Sequence, residues 1–267
     1  MESSKQQTDI KNQIMDLVED FYDLKHKNIN FVPGISEVPV SGKVFDSNEI
    51  KNLISSSLDF WLTDGDYSEE FSKKMSNFLS LKHIRLVNSG SSANLVSLAS
   101  LTNKKVKNHI LPGAEVITTA VGFPTTVNPI FQNNMTPVFI DSELGTYNPT
   151  AQSVIDAYSS DTRAIMMAHT LGNPLEIEKI KDFADDKNLW LIEDNCDALG
   201  SKYSMPIEKA KTLGFTENSP GVPIEENKIT RWTGTWGDIS TQSFYPPHHI
   251  TMGEGGAVNI VNEKKLA

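Results

Sequence analysis

Short apolar, β-rich runs alternate with segments of helical period from Lys82 onward. His83 to Val87, Glu115 to Thr119, Pro137 to Asp141, Arg163 to His169 and Leu189 to Glu193 read as strands bounded by turn residues. Ser92 to Leu101, Pro124 to Gln132, Ala151 to Tyr158 and Glu176 to Asn188 carry helical spacing between them. Strands alternating with helices predict a mostly parallel sheet covered on both faces, an α/β architecture. Two more strands, Ile239 to Phe244 and Ala257 to Val261, come late in the chain. Near the start, Ile10, Ile14, Leu17 and Phe21 predict a helix from about Thr8 to His26. An irregular run with Pro and Gly then reaches Val44, and Asp46 and Asn48 begin a second helical pattern. Pro206, Pro220, Pro223, Gly214 and Gly221 break the rhythm, so about 204–232 reads as a surface insertion between core strands. The expected organisation is a helical and extended segment over 1–55 and a large domain over 56–267.

Charge narrows the partners. Lys and Arg number 24 against 34 Asp and Glu, a net charge of −10. This argues against a broad nucleic-acid surface and requires any phosphate site to be built locally from amides and individual side chains. Apolar stretches such as Leu189-Trp190-Leu191-Ile192 are too short to cross a bilayer, and the polar start from Met1 to Gln7 has no hydrophobic signal core. The expectation is a cytoplasmic protein without a membrane or nucleic-acid partner. The lone cysteine, Cys196, excludes an intrachain disulfide and any zinc or iron–sulfur centre built from this chain's thiolates alone. By itself it reads as a small buried hydrophobe.

Four places carry candidate chemistry. Val87-Asn88-Ser89-Gly90-Ser91-Ser92 leaves a strand through glycine into a serine-rich helix start, which suits a phosphate cradle or, equally, a helix N-cap by Ser91 or Ser92. Asp194 stands at the carboxyl end of an apolar strand, where it can hold a pyridinium nitrogen protonated or merely cap a neighbouring amide. Phe123 and His169 lie where strands give way to loops, either as parts of a site or as core residues. After the last apolar run but one, Ser243-Phe244-Tyr245-Pro246-Pro247-His248-His249 leads into a Gly-rich turn. Adjacent histidines on extended chain point to opposite sides, which disfavours a shared metal ion.

The order Ser-Gly-Ser-Ser-Ala-Asn at 89–94, Gly-Phe-Pro-Thr at 122–125, Glu193-Asp194 with Cys196-Asp197-Ala198-Leu199-Gly200, and the run from Ser243 to Gly256 resembles the DegT/DnrJ/EryC1/StrS sugar aminotransferase and dehydrase family. The likeness runs from about Val38 to Val261. It implies the large domain of a fold-type I, aspartate aminotransferase-like pyridoxal-phosphate enzyme, with the carboxyl-terminal small domain absent. Aminotransferase members carry the Schiff-base lysine where this chain has His248. Trp61-Leu62-Thr63 and His169-Thr170-Leu171-Gly172-Asn173 resemble the dehydrase subgroup that acts on CDP-4-keto-6-deoxy-D-glucose.

The resemblance implies that Gly90, Ser91, Ser92 and Ser243 hold the cofactor phosphate, that Phe123 stacks on the ring and that Asp194 pairs with its nitrogen. Asp197 falls near the ring hydroxyl, and His169 joins the cofactor set. Imidazole cannot make lysine's covalent link but can act as an acid or base, so His248 favours noncovalent pyridoxamine phosphate (PMP) over anchored pyridoxal phosphate (PLP). The implied reaction is dehydration at C3 of a nucleotide-linked 4-keto-6-deoxyhexose, in 3,6-dideoxysugar and O-antigen synthesis. Implied partners are the nucleotide sugar, an NAD(P)H-dependent iron–sulfur flavin reductase, and a second copy or a missing carboxyl-terminal piece. Cys196 matches the first of four cluster cysteines, so a [2Fe–2S] centre would need cysteines outside this chain. Asp66 replaces an arginine usual in the subgroup, and the insertion before Thr233 is longer than in the family. A dehydrase of GDP-4-keto-6-deoxymannose, or a truncated non-catalytic subunit or half of a split enzyme, are the alternatives.

Overall fold

β-branched and apolar runs become strands, and the intervening helical periods become the helices that cover them. In the computed structural model, which describes residues 2–27, 30–39, 41–42 and 44–266, the helices are α1 (Glu2–Lys25), α2 (Ser47–Asp59), α3 (Asp66–Leu79), α4 (Gly90–Ser100), α5 (Pro124–Gln132), α6 (Ala151–Asp156), α7 (Ile177–Asp186), α8 (Ile207–Thr212) and α9 (Glu263–Leu266). The strands are β1 (His83–Val87), β2 (Glu115–Thr119), β3 (Thr136–Ile140), β4 (Thr162–Ala168), β5 (Trp190–Asp194), β6 (Lys202–Pro206), β7 (Lys228–Trp232), β8 (Ile239–Ser243) and β9 (Gly256–Ile260). Contacts divide the chain into two compact units, Met1–Glu70 and Phe71–Ala267.

In the first unit, α2 starts on a capping box: Asp46 accepts from Asn48 N at 2.7 Å, and Glu49 reaches back to Asp46 N at 2.8 Å. Asp66 is the first residue of α3, where an acid complements the positive end of the helix dipole.

The second unit is built on a seven-stranded sheet in the order β1-β9-β8-β5-β4-β2-β3. β3, β2, β4, β5 and β8 pair in parallel, as the alternation of elements predicts, while β9 runs antiparallel to both β8 and β1. Alternate residues of each strand supply opposite cores. Ile117, Ile165, Met167 and Leu191 join one cluster with Trp236, while Val116, Ala164, Met166, Trp190 and Ile192 join the other beneath α4 and α5.

The segment at 204–232 folds into an antiparallel ribbon of β6 and β7 with α8 between them. Met205, Ala210 and Ile229 of this ribbon are buried in the first core cluster. Among the described residues no helix is long and apolar enough to cross a membrane.

Candidate active site

Parallel strands expose their carboxyl ends along one edge of a sheet, and the loops leaving those ends enclose ligands. Here the ends of β1, β2, β4, β5 and β8 surround a cavity of about 460 Å³, within the range of small-molecule sites. Its wall includes Ser89, Gly90, Ser91, Phe123, Asp194, Cys196, Asp197, Ser243 and His248.

Ser89 is the N-cap of α4: its hydroxyl accepts from Ser92 N at 3.1 Å, and its carbonyl accepts from Ala93 N at 3.0 Å. The cap is therefore neither Ser91 nor Ser92. This leaves the first-turn amides of Gly90 and Ser91, with the Ser91 and Ser243 hydroxyls, for an anion at the positive end of the helix dipole. Ser92 is occupied with Ser89 and does not line the cavity. Asp194, Asp197 and Glu254 are the charged carboxylates of the wall, and no lysine or arginine is among its described residues. The donors available to an anion among the described wall residues are therefore amides and hydroxyls.

The register Asp194↔Thr241 between β5 and β8 sets the Asp194 carboxylate under the cavity, 3% exposed. Oδ2 accepts from Asn94 Nδ2 at 2.8 Å and from Thr126 Oγ1 at 2.6 Å. Oδ1 accepts from Cys196 N at 3.2 Å. Thr241 gives its hydroxyl proton to Asn94 Oδ1 at 2.7 Å and stands 3.4 Å from Asp194 Oδ1. A buried carboxylate so held can pair with a protonated ring nitrogen. Asn94, Thr126 and Thr241 lay inside or beside motifs already recognised, but spacing alone carried no sign that all three converge on one carboxylate.

Phe123 precedes α5 and is 67% exposed, with its ring available as one wall. His248 Nδ1 stands 3.5 Å from Asp197 Oδ1, an electrostatic contact rather than a hydrogen bond. Tyr245 packs edge-on beside the same imidazole at 6.5 Å between ring centroids, and its carbonyl accepts from His248 N at 3.0 Å. His249 is exposed and does not line the cavity. Tyr245, Thr170 and Glu254 are wall residues that the sequence motifs did not single out.

One of the expected cofactor residues lies away from the cavity. His169 is fully buried and does not reach the cavity: its Nε2 donates to Glu193 Oε2 at 2.8 Å, while Nδ1 accepts from Leu175 N at 3.1 Å. Both ring nitrogens are spent in the core, and the flanking Ala168 and Thr170 line the wall instead. Cys196 sits in the cavity wall near Gly90, where burial, followed by the neighbouring Asp194 carboxylate, pushes its thiol well above the ordinary value. A [2Fe–2S] centre needs four ligands, and Cys196 could supply one. Among the described residues no group of three or more His, Cys, Asp or Glu is placed to hold a metal ion.

The mostly parallel sheet, with a cavity at the carboxyl ends of its strands, is the architecture of the fold-type I large domain. Residues 44–267 match the DegT/DnrJ/EryC1/StrS aminotransferase family, and the chain belongs to it. It is 44% identical over 250 residues to the lipopolysaccharide biosynthesis protein RfbH of Salmonella typhimurium, covering 93% of this chain and 52% of that protein. It is 43% identical over 251 residues to dTDP-4-dehydro-2,6-dideoxy-D-glucose 3-dehydratase of Saccharopolyspora spinosa, covering 94% and 49%. Among solved structures, E. coli GDP-4-keto-6-deoxy-D-mannose-3-dehydratase with bound hydrated PLP superposes with a TM-score of 0.70 at 26% identity, covering 86% of this chain and 52% of that one. The chain thus spans about half the length of the relatives it matches.

Proposed function

We propose that this chain carries the cofactor and acid–base machinery of a PMP-dependent 3-dehydratase of nucleotide-linked 4-keto-6-deoxyhexoses. One observation carries the reading: His248 faces the cavity against Asp197, and no lysine is among the described residues of the wall. PMP, when bound, supplies an amine for the sugar's C4 ketone and a ring that delocalises electrons. Gly90, Ser91 and Ser243 would hold its phosphate, Phe123 would cover the ring, and the Asp194 carboxylate would pair with the ring nitrogen.

His248 Nδ1 lies toward Asp197, which leaves Nε2 to act: it would take the proton released at the carbon that bears the cofactor's amine and give one to the C3 oxygen, which leaves as water. An imidazole is suited to both steps near neutral pH. Identity of 43–44% to the first two relatives, against 28% to a GDP-4-keto-6-deoxy-D-mannose 3-dehydratase, favours a sugar nucleotide other than a GDP-mannose derivative. A cytoplasmic setting, a second copy of the chain and an electron-donating reductase belong to the same proposal, and they rest on the family resemblance.

The test is to load the protein with PMP and follow loss of CDP-, dTDP- and GDP-linked 4-keto-6-deoxy sugars. His248→Asn should keep PMP and lose dehydration by at least about 10²-fold, the usual scale of general acid–base catalysis. Unchanged turnover would remove His248 from the chemistry.

A further inference from the structure

Glu193 and Asp194 are consecutive on β5, so their side chains leave opposite faces of the sheet. Asp194 turns to the cavity. Glu193 turns into the protein, fully buried, and every acceptor direction of its carboxylate is used. Oε1 accepts from Trp236 N at 2.8 Å and Gly237 N at 2.6 Å. Oε2 accepts from Gly234 N at 2.9 Å and His169 Nε2 at 2.8 Å.

These four donors come from two loops that build the cavity. His169 lies between Ala168 and Thr170, both wall residues, and its own amide donates to Asp194 O at 3.1 Å. Gly234 to Gly237 is the turn that leads into β8, whose Thr241 and Ser243 reach the cavity region. Gly234 has a φ of 75°, and a Cβ there would come within 3.0 Å of the Asn195 side chain, so the turn packs directly under the residue that follows Asp194. Because Nδ1 of His169 accepts from Leu175 N, the imidazole is held as the tautomer that donates from Nε2.

We propose that Glu193 is a positioning residue: it gathers the loop after β4 and the turn before β8 around β5, and thereby sets Asp194 and Ser243 at the spacing the cofactor requires. The proposal rests on the reading of the cavity as a PMP site. A carboxylate is the only side chain of this length that can accept from all four donors. Glutamine would aim an NH₂ group at two of them.

The experiment measures PMP affinity by equilibrium dialysis, with folding followed by circular dichroism and melting temperature. Wild type should bind PMP, and folded Glu193→Gln should bind at least about tenfold more weakly, the cost of roughly one or two unsatisfied buried donors. A purely structural role would lower the melting temperature and leave the affinity of the folded fraction unchanged, which would overturn the proposal. Should Glu193→Gln not fold, His169→Leu and His169→Gln decide. Leucine removes one donor and glutamine restores it, so loss of affinity in the first with recovery in the second supports positioning. Equal affinity in both, at the wild-type level, overturns it. Absence of PMP binding by wild type would instead overturn the cofactor reading itself, and the positioning role with it.

Discussion

Gly90 leaves no room for a side chain. A Cβ there would lie 2.5 Å from Ser243 Cβ and 3.0 Å from Cys196 Sγ, because the start of α4 passes directly over the ends of β5 and β8. Gly90→Ala should therefore destabilise the protein by about 1–3 kcal/mol, the usual cost of overpacking, and release PMP by moving Ser243; urea unfolding and dialysis measure the two effects. Glu193 makes a second prediction, in pH. Burial pushes its carboxyl up, but the hydrogen bonds from His169 and from the amides of Gly237 and Trp236 outweigh that and hold it below the ordinary 4.5. A carboxyl lowered in the folded state contributes stability that is complete above the unfolded value and is lost as pH falls through the folded one. The unfolding free energy of wild type should consequently drop below pH 4.5 more steeply than that of Glu193→Gln. At this scale the motifs made Gly90, Asp194 and His248 legible from sequence. The partners that orient them, Asn94, Thr126 and Asp197, meet only across long separations in the chain.

The elements that were easiest to read are those whose local pattern and tertiary environment agree. β1, β2 and α5 begin and end where spacing puts them, at His83–Val87, Glu115–Thr119 and Pro124–Gln132. α3 was not assigned, although Phe71 and Met75 are one helical turn apart and Met75 and Leu79 are buried. β6 and β7 were also missed, since each is polar and proline or lysine stands at its edge; their pairing across the ribbon is a choice between distant segments. α9 is too short to be stable alone, and Lys265 is one of the side chains that tie it down. Lys265 Nζ donates to Asp238 Oδ2 at 2.7 Å and Leu189 O at 2.6 Å, and lies 4.8 Å from the Trp190 ring centroid. Asp238 is 1% exposed. Removing the cation from this buried pair with Lys265→Met should cost roughly 3 kcal/mol, read from the urea midpoint.

Across the whole molecule, the alternation of periods near 2 and near 3.6 determined an α/β sheet, and the ordered motifs, with histidine in lysine's place, pointed to the family. Those features are local, because periodicity and short motifs report on residues a few positions apart. Only the tertiary structure decided which side of each strand faces the cavity. A period of two says that Glu193 and Asp194 oppose one another, but the placement of β8 beside β5, with α4 above and the 234–237 turn below, determines that Asp194 meets the cavity and Glu193 the core. The same packing turned His169 inward, made Ser89 the cap and set Asp197 against His248. Each outcome depends on contacts between segments tens of residues apart, where hydrogen-bond partners compete for one buried position and the sequence pattern is silent.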